Sequence, residues 1–471
     1  MENDAISKID LLIDNCTEQL ISDTRALVKI KSTQGEPSCN APFGEGPKAV
    51  TELFKTMCLQ AGLDTVDYNV GIVSGSMKDS PIDVGIWFHG DIVPEGDGWD
   101  YPSYDISLYK GRMIGRGAND NKGQLVAIFN LFKIFKKLNI NFNYNPAIFL
   151  GSNEENGMKD LIGDASNPYA KGFLNLYEAP KLSLVCDGGF PVGIGGKGGL
   201  NITLKSKTKF HGMTFEAGTS NAPGNATAVL DNCNFTQLDG CTVVCGEKTV
   251  IETFSPPRHG ARPDPDGNMV TMLTSSLLKN RIVNTDDRYI LEFFNSLSLN
   301  VYGQSLGIYT DHKEMGLLTV FIKEIVTEDG YAKITLNIRY PITITFDGIA
   351  KKVTENAEKS GFLVVGTEKR TTPYVQNGNK EIINLLLETV KEVPSYGKVE
   401  KTEPYYVEGG TYAHFLPNAY VFGSGACVPP EDFENGKGLS HGVDECVSIP
   451  RLKRSMKIYA RTLLKLNEKF I

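Results

Sequence analysis

The stretch Pro81–Asp91, PIDVGIWFHGD, is a flat apolar run that ends in a histidine and, two residues later, an aspartate. A run without polar alternation is typical of a strand that is covered on both faces of a largely parallel sheet. Functional residues of such sheets collect in loops at the carboxyl ends of the strands. His89 and Asp91 stand at such an end, and the Pro- and Gly-containing segment that follows predicts a loop.

Acidic residues and a second histidine recur in similar positions along the chain. Taken alone, each is typical of an ordinary turn, a helix N-terminus or a solvated loop. Taken together, histidines and carboxylates at several strand ends suit a hard or borderline divalent ion such as Zn²⁺, Mn²⁺ or Co²⁺. The stretches are GRGANDNKG with Asp120, IFLGSNEENG with Glu154 and Glu155, LVCDGG with Asp187, and GLSHGVDE with His441.

These residue types indicate hydrolytic chemistry with two ions. A carboxylate, unlike a neutral imidazole, has two oxygens with which to bridge ions. Two ions about 3.5–4 Å apart activate a water and polarise a carbonyl together. A further carboxylate is then needed as general base, because a ligated carboxylate is not free to shuttle protons.

The pattern of predicted helices and strands along the chain indicates two domains. Residues 1–199 and 373–471 alternate helices with short apolar strands, which indicates an α/β domain with a mostly parallel sheet. Residues 200–372 contain alternating and hairpin-like strands with helices between them, which predicts an inserted α+β domain. The length of 471 residues agrees with more than one domain.

Composition excludes some classes of protein. The net charge is −8 and the basic residues are scattered, which argues against nucleic-acid or membrane-surface partners. No apolar run is long enough to span a bilayer. The nine cysteines form no CxxC pair, so we expect reduced thiols and a cytoplasmic protein.

Four stretches together resemble the M20 family of metallopeptidases, and within it the PepV-like and carnosinase-like dipeptidases. The resemblance runs along nearly the whole chain, with the motifs in family order. The stretches are HGDIVPEGDGWDYPSYDISLYKGRMIGRGANDNKG, SNEENGMKDL, CDGGFPVGIGGKGG, and EGGTYAHFLPNAYVFGSG followed by GLSHGVDE.

The resemblance implies a role for each residue of the metal centre. Two divalent ions are expected, with Zn²⁺ as the first choice and Mn²⁺ or Co²⁺ as alternatives. Glu154 matches the general base, and Asp91 matches the carboxylate that orients and polarises the first histidine. The implied ligands are His89 and Asp187 for the first ion, Asp120 as the bridge, and Glu155 and His441 for the second ion.

The resemblance also implies substrate contacts. It implies that residues 1–199 and 373–471 form the catalytic domain and residues 200–372 its lid. His259 would stabilise the tetrahedral oxyanion, and Asn221 would contact the substrate from a turn of the lid. Arg339 in NIRYP would bind the C-terminal carboxylate of the substrate, and Gly409, Gly410 and Thr411 would shape that pocket. Two alternatives stay open: His259 as a surface-loop residue and Arg339 as an ion-pair partner on a strand. Two departures from the family pattern occur here: Pro-Pro-Arg replaces the small Ser or Ala residues usual before the lid histidine, His259, and the turn after Asn221 is one residue shorter than usual.

The expected activity is hydrolysis of dipeptides that have a free C-terminal carboxylate, by a monomer or a homodimer. One alternative is an M20 deacylase that acts on N-acyl amino acids. Another is a non-catalytic binding protein, against which the presence of every ligand position and of Glu154 argues. The histidines at 211, 312 and 414 match no ligand position and are expected to be structural or surface residues.

Overall fold

The computed structural model describes residues 2–219, 222–231, 236–255, 263, 268–376, 378–395, 402–425, 433 and 437–469. Two of the predicted site residues, Asn221 and His259, lie outside the described residues. Within the described part of the chain, no helix combines the length and the apolar character needed to cross a bilayer.

The chain forms two compact units. The first comprises Met1–Gly195, Val375–Val407 and Thr411–Ile471, and the second comprises Gly196–Tyr374 and Glu408–Gly410. The boundaries expected from the sequence were 199/200 and 372/373, with Glu408–Gly410 in the catalytic domain. In the structure the Glu408 carboxylate acts electrostatically on the Lys197 amine, which also belongs to the second unit.

The first unit is an α/β structure around a mixed sheet. Its strand order is β1-β2-β6-β3-β7-β19-β8-β17, with β18 paired to β8. The strands are β1 (Asp64–Asp67), β2 (Val73–Ser76), β3 (Val84–His89), β6 (Pro146–Gly151), β7 (Leu182–Val185), β8 (Gly193–Gly196), β17 (Tyr374–Val375), β18 (Tyr405–Val407) and β19 (Ala419–Val421).

Strands β6, β3, β7 and β19 are parallel, whereas β1, β2 and β8 pair antiparallel with their neighbours. The expectation of a mostly parallel sheet is therefore corrected to a mixed sheet. Two places account for this: β1 and β2 form a short hairpin whose β2 runs antiparallel to β6, and β8 runs antiparallel to β19.

Buried side chains explain why β3 lies in the middle of this sheet. All six of its residues are buried, as expected for a strand that is covered on both faces. Trp87 stacks on Phe149 of β6 with ring centroids 4.1 Å apart, and its indole N–H donates to the Ser183 hydroxyl of β7. The parallel register of β3 and β6 places His89 opposite Gly151 at their carboxyl ends.

Helices cover this sheet, and a small second sheet completes the first unit. The second sheet has the order β20-β5-β4. The helices are α1 (Glu2–Asp14), α2 (Thr17–Val28), α3 (Glu45–Gln60), α4 (Lys122–Lys137), α5 (Lys159–Ile162), α9 (Lys380–Lys391) and α10 (Ile449–Leu466), with 3-10 turns at Phe173–Asn175 and Tyr412–His414. The small sheet consists of β4 (Ser107–Tyr109), β5 (Arg112–Ile114) and β20 (Cys446–Ser448).

The second unit is an antiparallel sheet with helices packed into its core. The strand order is β12-β13-β11-β10-β14-β15-β9-β16. Its strands are β9 (Gly198–Lys209), β10 (Met213–Thr219), β11 (Ala222–Leu230), β12 (Thr242–Cys245), β13 (Thr249–Phe254), β14 (Thr319–Glu328), β15 (Tyr331–Tyr340) and β16 (Phe362–Thr371); its helices are α6 (Met269–Lys279), α7 (Thr285–Leu299) and α8 (Phe346–Lys359), with a 3-10 turn at Gln304–Leu306.

The core of the second unit follows from strand periodicity. Leu200, Ile202 and Leu204 of β9 point to one face together with Ile338 and Leu336 of β15. Residues two apart on a strand share a face, so this face carries the apolar side chains and the opposite face is left for polar ones.

Candidate metal centre

The five predicted ligands all lie in the first unit, at or close to the ends of its strands and helices. His89 ends β3, and Asp120 lies just before α4. Glu155 follows β6, and Asp187 follows β7. His441 lies in the turn that precedes β20.

The structure brings these residues into two groups that share Asp120. One group is His89, Asp120 and Asp187, and the other is Asp120, Glu155 and His441. In each group one ligand atom per residue lies within 4.8 Å of the others. A divalent ion needs such converging nitrogen and oxygen atoms.

The two oxygens of Asp120 face different histidines. Oδ1 lies 3.0 Å from His89 Nε2, and Oδ2 lies 3.2 Å from His441 Nε2. The same nitrogen of His441 lies 3.0 Å from Glu155 Oε1. Tetrahedral ligands at roughly 2.0–2.2 Å from Zn²⁺ stand about 3.3–3.6 Å from one another. The donors would need to separate by only a few tenths of an ångström, so the residues present fit two ions.

Crowded negative charge makes the centre a site for cations. Burial and then the Asp120 carboxylate raise the pKa of Asp187 to about 7. Burial, followed by Asp187, also raises the pKa of Glu154 well above its usual value. Burial acts to lower the pKa values of His89 and His441, but the neighbouring carboxylates outweigh it and raise both. Carboxylates at this density, one buried and three partly buried, are unfavourable unless a cation neutralises them.

Glu154 differs from the neighbouring Glu155. Its side chain is buried, and its Oε1 has no hydrogen-bond partner among the described residues. Glu155 is held by His441, whereas Glu154 belongs to neither ligand group. A buried carboxylate beside the ligands but outside both groups has the placement that a general base requires.

Asp91 contacts His89 mainly through its backbone, and the predicted orienting and polarising role of its carboxylate stays a prediction. His89 Nδ1 lies 3.0 Å from the backbone carbonyl oxygen of Asp91 but 3.6 Å from its carboxylate, which is too long for a hydrogen bond. The carbonyl accepts from the Nδ1–H tautomer, and that leaves the Nε2 lone pair facing Asp120. The Asp91 carboxylate instead accepts the backbone N–H groups of Glu154 and Glu155, each at 3.0 Å.

A second buried carboxylate supports the same loop, and the sequence analysis did not single it out. Asp160 Oδ2 accepts the backbone N–H groups of Ser152 at 2.7 Å and Asn153 at 3.1 Å. It also accepts the Tyr412 hydroxyl at 2.6 Å. Asp160 lies within the SNEENGMKDL motif, but nothing in the order of the residues shows that it folds back onto the start of that motif.

The predicted substrate-binding residues belong to different units. Arg339 lies on β15 of the second unit and is mostly buried. In the register it lies opposite Thr319 of β14 and Gly199 of β9. A Cβ atom at Gly199 would approach Arg339 Nη1 to 2.6 Å, so the guanidinium group extends over this glycine.

Residues 409–411 are divided between the two units. Gly409 and Gly410 cluster with the second unit, and Thr411 belongs to the first. The Thr411 hydroxyl accepts the backbone N–H of Ala413 and caps the 3-10 turn Tyr412–His414. Contact of these three residues with a substrate stays a prediction.

An α/β unit with histidines and carboxylates gathered at its strand ends defines a hydrolase of the metallopeptidase type. The family model described as Peptidase family M20/M25/M40 matches residues 85–465. The chain belongs to this peptidase family, which confirms the resemblance seen in the sequence.

Relatives of similar length were found in two bacteria. "Putative dipeptidase SSP1012" of Staphylococcus saprophyticus is 24% identical over 477 residues, covering 95% of this chain and 97% of that protein. "Putative dipeptidase YtjP" of Bacillus subtilis is 23% identical over 476 residues, with the same two shares.

Two solved structures share the fold. Human carnosine dipeptidase 1 superposes with a TM-score of 0.59 at 14% identity, covering 98% of this chain and 100% of that chain. The dipeptidase Dug1p from Saccharomyces cerevisiae also has a TM-score of 0.59, at 13% identity, and covers 98% of both chains. At these identities the likeness shows the fold alone.

Proposed function

We propose that the protein is a dipeptidase that depends on two divalent ions and hydrolyses dipeptides with a free C-terminal carboxylate. The observation that carries the proposal is the pair of ligand groups that share Asp120, with Glu154 buried beside them and outside both. The names of the relatives and the fold shared with carnosine dipeptidase 1 support the choice of a dipeptide substrate.

The ligands for one ion are His89, Asp120 and Asp187, and those for the other are Asp120, Glu155 and His441. Mixed imidazole and carboxylate ligands suit Zn²⁺ first, with Mn²⁺ and Co²⁺ as alternatives. When bound, such ions lower the pKa of a water and polarise the scissile carbonyl.

Glu154 acts as the proton carrier in this proposal. Its carboxylate accepts a proton from the attacking water and then donates it to the nitrogen of the leaving amine. A cation in the centre favours the ionised carboxylate, so Glu154 would be ready to accept a proton at neutral pH even though burial raises its pKa. General base catalysis of this kind contributes about 10²–10⁴-fold to the rate.

Two further residues act on the substrate in this proposal. His259 donates a hydrogen bond to the oxyanion that develops on the carbonyl. Arg339 binds the C-terminal carboxylate with its planar fork of donors, a geometry that lysine cannot copy.

We further propose that the protein works in the cytoplasm. Among the described residues, Cys16, Cys39, Cys58, Cys186 and Cys241 take part in no disulfide. Cysteines outside disulfides on several parts of a chain are typical of a reducing compartment.

A substrate panel tests the proposed function. Metal-free protein is supplied separately with Zn²⁺, Mn²⁺ and Co²⁺ and assayed with free dipeptides and with N-acetyl amino acids. We expect no turnover without metal, restored turnover with at least one ion, and a clear preference for dipeptides. Glu154→Gln, purified in the same way, is the control for contaminating peptidases.

Two results would overturn the proposal. Faster release from N-acetyl amino acids than from dipeptides would show a deacylase. Stoichiometric metal binding without turnover of either class would show a binding protein.

A further inference from the structure

A buried ion pair lies behind the metal centre and was not among the predicted site residues. Arg116 Nη1 donates to Glu445 Oε2 at 2.7 Å, and both side chains are only 1% exposed. The pairing of β5 with β20 brings the two residues together although they are 329 positions apart in the chain. A charge pair buried to this degree is costly to desolvate. Its other hydrogen bonds connect it to two segments of the metal centre.

Glu445 holds the backbone at Asp120. While Oε2 accepts from Arg116, Oε1 accepts the backbone N–H of Asn119 at 2.9 Å and that of Asp120 at 3.0 Å. These bonds fix the position of the peptide groups from which the shared carboxylate extends.

Arg116 holds the turn that carries His441. Its Nη2 lies 3.3 Å from the His441 carbonyl oxygen, and it also contacts the carbonyl oxygens of Glu95 at 3.1 Å and Pro94 at 3.3 Å. The guanidinium group lies over the Trp99 ring at 5.3 Å. One planar cation therefore joins the His441 turn to the loop after β3.

We propose that Arg116 and Glu445 are positioning residues that set the spacing between Asp120 and His441, and so the affinity for the ion held by Asp120, Glu155 and His441. Among the hydrogen bonds of the described residues, none joins this pair to His89 or Asp187. The pair therefore acts on one ion more than on the other. This inference rests on the proposed metal centre.

Titration of metal-free Arg116→Lys protein with Mn²⁺ tests the inference. Lysine keeps the charge but has a single ammonium group in place of the planar fork, so it cannot reach Glu445 and the His441 carbonyl in the same geometry. We expect one equivalent to bind about 10–100-fold more weakly, as is typical when a group that orients a ligand is changed. The other equivalent should lose less affinity, because Asp120 belongs to both ligand groups whereas His441 belongs to one. The Mn²⁺ concentration for half-maximal activity should rise by a similar factor, while kcat at saturating Mn²⁺ recovers.

Arg461→Lys is the matched control. Arg461 makes a two-pronged pair with Asp10 in the same unit, with donor–acceptor distances of 3.0 and 2.7 Å. This variant loses a comparable fork without touching the metal centre, so both Mn²⁺ equivalents should bind as in the wild type.

Each other outcome has a definite meaning. Unchanged affinity for both equivalents in Arg116→Lys rejects the inference, and so does an equal loss of both. Glu445→Gln is the second variant, and it should weaken the same equivalent. If both variants lose the fold in thermal melts, the pair is purely structural and the inference is rejected. If the wild type itself binds no Mn²⁺, Zn²⁺ or Co²⁺, the proposed function fails instead.

Discussion

Asp120 is the one side chain that both ligand groups share, and its two oxygens point to different histidines. We predict that Asp120→Ala lowers the bound metal from two equivalents to less than one, because both ions lose a ligand at once. Metal analysis after dialysis measures this. Asp97→Ala, at an exposed carboxylate in the loop after β3, is the control and should keep both ions. Two equivalents in the Asp120 variant would show that the ligand assignment is wrong.

Substitutions of the neighbouring residues Glu154 and Glu155 should have different effects on metal content. Glu154→Ala is expected to keep both ions and to lose about 10²–10⁴-fold in kcat, which is the usual contribution of a general base. Glu155→Ala is expected to lose the ion that it shares with His441, and part of its activity should return when metal is in excess. Metal content and kcat measured on the same preparations separate the two. The reverse pattern would exchange the two roles.

At the scale of elements, the loop after β6 is held by two buried carboxylates. Asp160 accepts the N–H groups of Ser152 and Asn153, and Asp91 accepts those of Glu154 and Glu155. The backbone N–H groups of four consecutive residues, 152–155, are thus hydrogen-bonded to these two carboxylates. The loop is therefore rigid where the general base and a ligand leave it, which suits a site that must keep its geometry during turnover.

Asp91→Asn tests which contact of Asp91 matters. An amide has one oxygen where the carboxylate has two, so an NH₂ group would face one backbone N–H and disturb Glu154. We expect kcat to fall about 10–100-fold, the usual effect of such supporting residues, and to stay low at saturating metal. If Asp91 acted only through His89, excess metal would restore kcat.

Glu95, in the loop after β3, links two elements and should contribute to acid sensitivity. Its carboxylate accepts the Tyr104 hydroxyl at 2.5 Å and pairs with Lys31 at 2.9 Å. Partial burial acts to raise the pKa of Glu95, but the Tyr104 hydrogen bond and the Lys31 charge lower it to about 2. The folded state therefore binds fewer protons than the unfolded chain between pH 4.5 and 2. The stabilisation is complete above pH 4.5 and is lost as the pH falls.

Glu95→Gln should remove this pH dependence. The free energy of unfolding at pH 7 should fall by about 1 kcal/mol, a small value because solvent screens a partly exposed pair. Between pH 4.5 and 2 the variant should lose less stability than the wild type. Urea unfolding of metal-free protein measures both effects. Glu36→Gln, at an exposed carboxylate of the same unit, should follow the wild-type curve.

For the molecule as a whole, the sequence motifs predicted the cluster of ligands better than the strand pattern predicted the directions of the strands in the sheet. Carboxyl ends of neighbouring parallel strands meet at one edge, so apolar runs that end in His89 or Asp187 were enough to predict a cluster. The hairpin of β1 and β2 was missed because DTVD and VSGS are short and lack apolar alternation. Without that hairpin, the mixed character of the sheet could not be seen.

Supporting contacts were harder to predict than the ligands themselves. Arg116 and Glu445 meet through strand pairing across most of the chain, and no local pattern signals such a contact. The hydrogen bonds of Asp91 depend on how a later loop folds over it. Periodicity and spacing describe single elements, whereas these contacts depend on where elements from distant parts of the chain meet.

The choice of substrate is the last property that belongs to the whole molecule. Arg339 is mostly buried in the second unit, so a carboxylate that it binds would be well shielded from water. A buried charge that loses its partner costs about 3–5 kcal/mol, which corresponds to roughly 10²–10³-fold or more in kcat/KM at about 1.4 kcal/mol per decade. We therefore predict that amidating the C-terminus of a good dipeptide substrate lowers kcat/KM by about that factor.

Arg339→Met tests whether this arginine is the cause. Methionine fills similar space without charge, so the variant should cleave the free dipeptide poorly and the amide about equally poorly. The ratio of the two kcat/KM values is the quantity to measure, because a general loss of activity would leave it unchanged. Arg370→Met, at a partly exposed arginine of β16 in the same unit, is the control and should keep the wild-type ratio. A wild type that cleaves amides as fast as free dipeptides would show that the carboxylate is not recognised, and an Arg339 variant that keeps the preference would assign carboxylate recognition to another residue.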